Sequence, residues 1–298
     1  MNRKKLVALI MVLALAFTTL VGGTLAYFTD TDDATNTFTT GSVKITLNEK
    51  QRVEKTATDG SDYTDNNLVA FDETVAHNLM PLGTATNKYL DVNYVDKIVT
   101  VTNDSTYGKS PAYIRTIYAI PVVRGYDEKP IQSDNWLHWN VFSAEDVNVD
   151  KTEGWYWGTE ATGDYPDDVN DWNSIKGADG KPEIFKIDGK EYMVYIATNV
   201  SEIKPGEETT VALRGLFLDS KVDCEFVEVE GTSSNSTEKQ LNYYIMLNGQ
   251  KVNLGDISNL KIMVYAQAVQ SEGFADAWEA FEKSGLPNMP WAVDENAR

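Results

Sequence analysis

Two dipeptides constrain the fold of this chain more than any other feature. Asp188-Gly189 separates IFKI from the run containing EYMVYIA, and Asn248-Gly249 separates NYYIML from QKVNL. A two-residue type I′ turn needs positive φ at both central positions, and Asp, Asn and Gly adopt it at the least cost. Flanked by β-branched and aromatic residues, each dipeptide predicts a tight antiparallel hairpin with a structural role and no ligand.

The rest of the chain agrees with that start. Ser42–Leu47 alternates, which points Val43, Ile45 and Leu47 to a core and Lys44 and Thr46 to water. Ile98–Thr102 is β-branched throughout. Ala112–Val123, AYIRTIYAIPVV, reads as a central strand that Pro121 ends. Pro205-Gly206 marks a turn before TTVALRGLFL, and Leu260–Gln270 reads as a late, mostly buried strand. Only GFADAWEAFEKSG is convincingly helical. It sets Phe274, Ala277, Trp278 and Phe281 on one face, and Gly285 and Pro287 stop it. The expected fold is all-β: an antiparallel, jelly-roll-like β-sandwich with a loop-rich insertion and a short C-terminal helix.

The N-terminus is of another kind. Arg3, Lys4 and Lys5 precede a run, Leu6 to Thr29, without a charged residue. That run is long enough to span a bilayer. Gly22-Gly23 interrupts it, however, and no basic cluster follows it. Thr24 and Ala26 put small residues at −3 and −1 of a cut before Tyr27. The prediction is a signal peptide over residues 1–26, a mature chain starting at Tyr27, and secretion. One domain is expected over 27–298. A single cysteine, Cys224, fits an exported protein that does not depend on disulfides.

Loss of the leader takes the net charge from −19 to −22. So acidic a surface repels nucleic acid and anionic lipid, and no basic stripe offsets it. Nucleic acid is therefore excluded as a partner.

Residues from about 125 to 182 mix turn formers, acids and five of the seven tryptophans: Trp136, Trp139, Trp155, Trp157 and Trp172. They are read as an insertion between sandwich strands. Its tryptophans are expected to form a satellite core, with platforms for sugar rings as the alternative.

Chemistry-bearing motifs are sparse. There are two histidines, His77 and His138, and neither a His-Glu-x-x-His nor a Gly-x-Ser-x-Gly motif. His77 is expected in a surface loop, His138 as a packed aromatic neighbour, and Cys224 as a small buried hydrophobe. Asp30, Asp32 and Asp33 form one acidic cluster, and Asp164, Asp167, Asp168 and Asp171 another. Weak Ca²⁺ binding is compatible with them, but neither has EF-hand spacing, and solvated loops are favoured. No catalytic residue, cofactor site or metal centre is assigned.

The opening stretch, VGGTLAYFTDTDDATNTFTTGSVKITL, resembles the start of the TasA/camelysin (CalY) family of secreted Gram-positive proteins. The resembling elements are Gly22-Gly23-Thr24, Ala26-Tyr27-Phe28, Phe38 and Gly41. LMPLGTATNKY, KIVTVTND, AYIRTIYAI with Arg115, and YAQAVQSEGFADAWEAF are similar to later family segments. The resemblance implies a jelly-roll sandwich, processing by a SipW-type signal peptidase, and a place in extracellular matrix or biofilm fibres. Its implied partners are further copies of the chain, other matrix proteins or polysaccharide. It also implies the cell-surface metalloprotease activity of camelysin-type members as an alternative function; a surface carbohydrate-binding module is another.

Tyr27–Leu47 is the expected assembly element, with Tyr27, Phe28 and Phe38 as apolar anchors ahead of Val43, Ile45 and Leu47. Its Thr-rich middle has strand propensity and weak alternation, so its register is poorly specified. Such an arm suits strand donation to a neighbouring sheet edge; the alternative is an ordinary first strand after a floppy leader.

Overall fold

Both predicted hairpins form in the computed structural model. It describes residues 28–33, 36–41, 43–55, 66–72, 79, 81, 93–105, 110–124, 130–131, 136–139, 154–157, 174–230, 237–255, 257 and 260–293. Asp188 and Gly189 have φ of 49° and 77°, Asn248 and Gly249 of 52° and 78°. The first turn joins β11 (Phe185–Ile187) to β12 (Lys190–Asn199), with Ile187 opposite Lys190. The second joins β15 (Thr237–Leu247) to β16 (Gln250–Gly255), with Leu247 opposite Gln250.

A Cβ at Gly249 would meet no atom within 4 Å, so the glycine is needed for conformation alone. Gly249→Val is expected to destabilise by about 1–3 kcal/mol through backbone strain. Thermal unfolding checks this, and an unchanged midpoint would contradict it.

Two large antiparallel sheets face each other. The first has the order β10 (Trp155–Trp157), β12, β6 (Ala112–Pro121), β17 (Met263–Gln270), β1 (Phe28–Asp33), β2 (Asn36–Gly41), with β11 also on β12. The second has the order β4 (Leu68–Ala70), β3 (Ile45–Arg52), β5 (Val95–Asn103), β13 (Leu213–Leu218), β9 (Leu137–Trp139). A smaller sheet, β14 (Val222–Glu230) with β15 and β16, adds Val222, Tyr243, Ile245, Val252 and Leu254 to the same core, and β7 (Val123–Arg124) pairs with β8 (Pro130–Ile131) in a two-stranded ribbon.

The long apolar run of β6 has a physical reason. Ile114, Tyr118 and Ile120 join the core between the sheets, together with Val99, Val101, Leu213 and Val264. Ile117 and Ala119 pack with Phe185, Ile187, Val194 and Ile196 in a second cluster. A strand covered on both faces reads as continuous rather than alternating. The C-terminal helix α1 (Ala277–Ser284) supplies part of that cover by packing Ala277, Ala280 and Phe281 on Tyr113 and Val269. Asp276 caps it by accepting the Glu279 N–H at 2.9 Å, and Gly285 ends it at φ 71°.

The tryptophan-rich segment departs from expectation. Trp136, Trp139, Trp155 and Trp157 are buried and belong to the principal core, not to a satellite one. β9 lies beside β13 with Leu216 opposite Trp139, and β10 beside β12 with Trp155 opposite Asn199. The segment thus lends an edge strand to each main sheet. Its rings fill the space between, as in the stack of Tyr118 on Trp157 at 4.8 Å. Trp172 lies outside the described residues.

Candidate assembly edge

The N-terminal segment borders both sheets on one side of the sandwich. β1 pairs antiparallel with β17 from Thr29 opposite Val269 to Asp33 opposite Tyr265. On its other edge it pairs with β2, from Phe28 opposite Gly41 to Asp33 opposite Asn36. Among the described residues the β1–β2 hairpin therefore joins the first sheet through one ladder, to β17, and β2 ends the sheet.

Residues 43–47 are held differently. Val43 and Ile45 are fully buried, and Leu47 packs half-buried against the same core. The Lys44 N–H donates to Ser105 Oγ at 2.9 Å, and Lys44 O accepts from the Asp104 N–H at 2.7 Å. Freeing Val43 and Ile45 would expose roughly 1.5–3 kcal/mol of side-chain burial each. Of the predicted assembly residues, Phe28 and Phe38 thus lie on the edge hairpin, and Val43, Ile45 and Leu47 behind it. Thr24, Ala26 and Tyr27 fall outside the described residues. Asp30, Asp32 and Asp33, expected in a solvated loop, are strand residues of β1.

The strand beneath the hairpin is secured from its outer face. Gln267 of β17 is fully buried. Its Oε1 accepts from Arg115 Nε at 2.6 Å, and its Nε2 donates to Pro287 O at 3.1 Å. Arg115 also donates to Asn288 Oδ1 at 3.0 Å and to the carbonyls of Leu286 and Pro287 at 3.3 Å each. Its guanidinium lies over the Phe281 ring, 4.5 Å from the centroid. All these acceptors are neutral, and burial lowers the Arg115 pKa to about 10. The cation sits just past the C-terminus of α1, where the helix dipole favours positive charge. Sequence reading missed this pairing. The signals for it were a polar Gln inside the apolar run YAQAVQ and a lone Arg inside AYIRTIYAI.

Other chemistry-bearing residues have structural surroundings. His138 stacks on Phe217 at 5.1 Å, and its Nε2 meets Asp219 Oδ2 at 2.6 Å. Asp219 also accepts the Lys221 N–H at 2.8 Å, and its own N–H donates to Trp136 O. It thereby fastens the start of β9 to the end of β13. Burial alone raises the Asp219 pKa, but the hydrogen bonds from His138 and Lys221 outweigh it and leave the carboxyl below 3.8. A depressed folded-state pKa gives stability that is complete above the unfolded value and lost as pH falls through the folded one. Asp219→Asn should therefore flatten the decline in melting temperature below about pH 4. An acid limb as steep as in the parent protein would contradict this.

Cys224 is a free, half-buried thiol packed against the core. Trp155 is 1% exposed and donates to Thr210 O at 3.0 Å, so it offers no platform to a sugar. Among the described residues no three His, Cys, Asp or Glu side chains are grouped to hold a metal. Nor is any helix among them long and apolar enough to cross a membrane. His77 and the Asp164–Asp171 cluster lie outside the described residues.

Residues 2–68 match the family described as camelysin metallo-endopeptidase. This bears out the resemblance of the opening stretch. The match takes in both strands of the edge hairpin and β3, and ends at the first residue of β4. No curated protein and no solved structure matches the chain.

Proposed function

We propose, from the camelysin-type N-terminal region, that the chain is a secreted matrix fibre subunit assembled by strand donation. Processing before Tyr27 by a SipW-type signal peptidase frees the N-terminal arm. The arm up to Gly41 is the donor, Val43–Leu47 stay in place, and β17 is the acceptor edge. A copy whose hairpin has left presents β17 to the arm of the next copy. Main-chain hydrogen bonds remake the ladder. Such head-to-tail addition does not close on itself and yields a filament. The observation that carries this reading is that, among the described residues, the β1–β2 hairpin is hydrogen-bonded into the sheet by one ladder, to β17, at the sheet's edge. Other matrix proteins or polysaccharide are further partners, and no cofactor is required.

The test is electron microscopy of processed protein, paired with N-terminal sequencing, beside a variant lacking Tyr27–Thr40. Filaments from the processed chain are expected, and a folded monomer from the variant. Filaments that form as readily without the arm rule the proposal out.

The family's description supports a second reading, a metallo-endopeptidase. The donor set among the described residues does not fit a catalytic metal, since His138 is engaged by Asp219 and Phe217. Stoichiometric zinc in purified protein with chelator-sensitive proteolysis would establish that reading.

A further inference from the structure

We infer that the C-terminal segment Phe274–Val293 is the backing of the acceptor strand, and that Gln267, held by Arg115, is the register pin that lets β17 receive an arm. This rests on the fibre proposal. It adds that the two ends of the chain have separate tasks: the N-terminal arm donates, and the C-terminal segment keeps the acceptor competent.

A β17 stripped of β1 becomes an edge strand, paired only with β6. Edge strands hold their register poorly unless side-chain contacts specify it. The outward-facing residues of β17 are each covered by the C-terminal segment. Val269 packs on Ala277, Ala280 and Phe281 of α1. Tyr265 meets the Trp291 ring edge-on at 5.9 Å. Between them lies Gln267, with Arg115 on one side of its amide and Pro287 O on the other.

Apolar contacts tolerate sliding, whereas a buried amide must satisfy its oxygen and its nitrogen at fixed positions. A one-residue slip of β17 would turn Gln267 into the sandwich core and Ala266 and Ala268 out of it. Arg115 is the cross-strand partner of Gln267 in β6, and Thr31 is its partner in β1. The residue fixed by the clamp is thus also a rung of the donor ladder. Gln267 is a positioning residue: it sets where an incoming arm finds its hydrogen-bonding groups.

Gln267→Leu keeps the side-chain bulk and removes both hydrogen bonds, and leaves the arm untouched. Processed Gln267→Leu protein is expected to donate and not to accept. Alone it should give no long filaments. Mixed into wild-type protein at a substoichiometric level, it should cap growing ends and shorten filaments several-fold. Asn288→Ala loosens Arg115 from an exposed loop residue, does not disturb the core, and should shorten filaments less. It serves as the readout if Gln267→Leu does not fold.

A Gln267→Leu protein that folds like wild type but leaves the length of wild-type filaments unchanged overturns the pin. Gln267→Leu or Asn288→Ala chains that elongate like wild type overturn it too and leave the fibre proposal standing. Wild-type processed protein that forms no filaments overturns both.

Discussion

Asp96→Ala is expected to destabilise the protein by about 3–5 kcal/mol, because it removes the carboxylate onto which a buried cation is forked. The Arg52 side chain is fully buried and that of Asp96 is 3% exposed. Arg52 donates from Nε to Asp96 Oδ2 at 2.9 Å, from Nη2 to Oδ1 at 2.7 Å, and from its backbone N–H to Oδ2 at 3.1 Å. A forked, doubly charged contact of this kind is strong in place but needs both partners, since either charge alone pays the full desolvation penalty. The bond ties the end of β3 to the start of β5, so it also holds the strand behind the arm. The double variant Arg52→Met/Asp96→Leu should recover much of the loss, because a well-packed apolar pair replaces buried charge at little cost. Denaturant unfolding of the two variants decides the matter. A single variant as stable as the parent would show that the pair is not desolvated.

Legibility in the sequence followed the physics of each element. The two hairpins could be read because their turns demand residues tolerant of positive φ, a local requirement. β6 and α1 could be read because burial leaves a periodic or continuous apolar record over ten or so residues. The acidic arm could not be placed. Asp30, Asp32 and Asp33 look like a loop, yet they pair with a strand more than two hundred positions away. The tryptophans misled for a related reason. Composition shows that Trp136, Trp139, Trp155 and Trp157 are concentrated, but not that β9 and β10 carry them into both sheets. Of the candidate edge, the strand propensity of the Thr-rich N-terminal segment was legible. Its pairing with β17 and the Arg115–Gln267 clamp were not, because strand order is a long-range property with no local marker.

Gly215→Ala is expected to be as damaging as the loss of Asp96, at about 3 kcal/mol or more. The reason is space, not backbone conformation. A Cβ built on Gly215 would lie 2.5 Å from Val95 O and 2.8 Å from Tyr94 Cζ, and it would overlap Tyr94 Cε1. Neither neighbour can retreat. Val95 O is main chain in β5, and Tyr94 is 1% exposed with its ring stacked 6.1 Å from Phe217. Gly215 also follows a register shift between β13 and β5, where Leu213 faces Val99 but Gly215 faces Asp96. The close approach at Gly215 therefore sits next to the Arg52–Asp96 pair, and forcing the strands apart there would strain that bond as well. Residues this near are expected to couple, so Gly215→Ala and Asp96→Ala together should destabilise by less than the sum of their separate effects. Gly180→Ala is the control. Gly180 has positive φ but open space around its Cβ, so its substitution should lose only about 1 kcal/mol. A Gly215→Ala protein no less stable than Gly180→Ala would mean that β13 and β5 can part at this point, and that the second sheet is not held together there by close backbone contact.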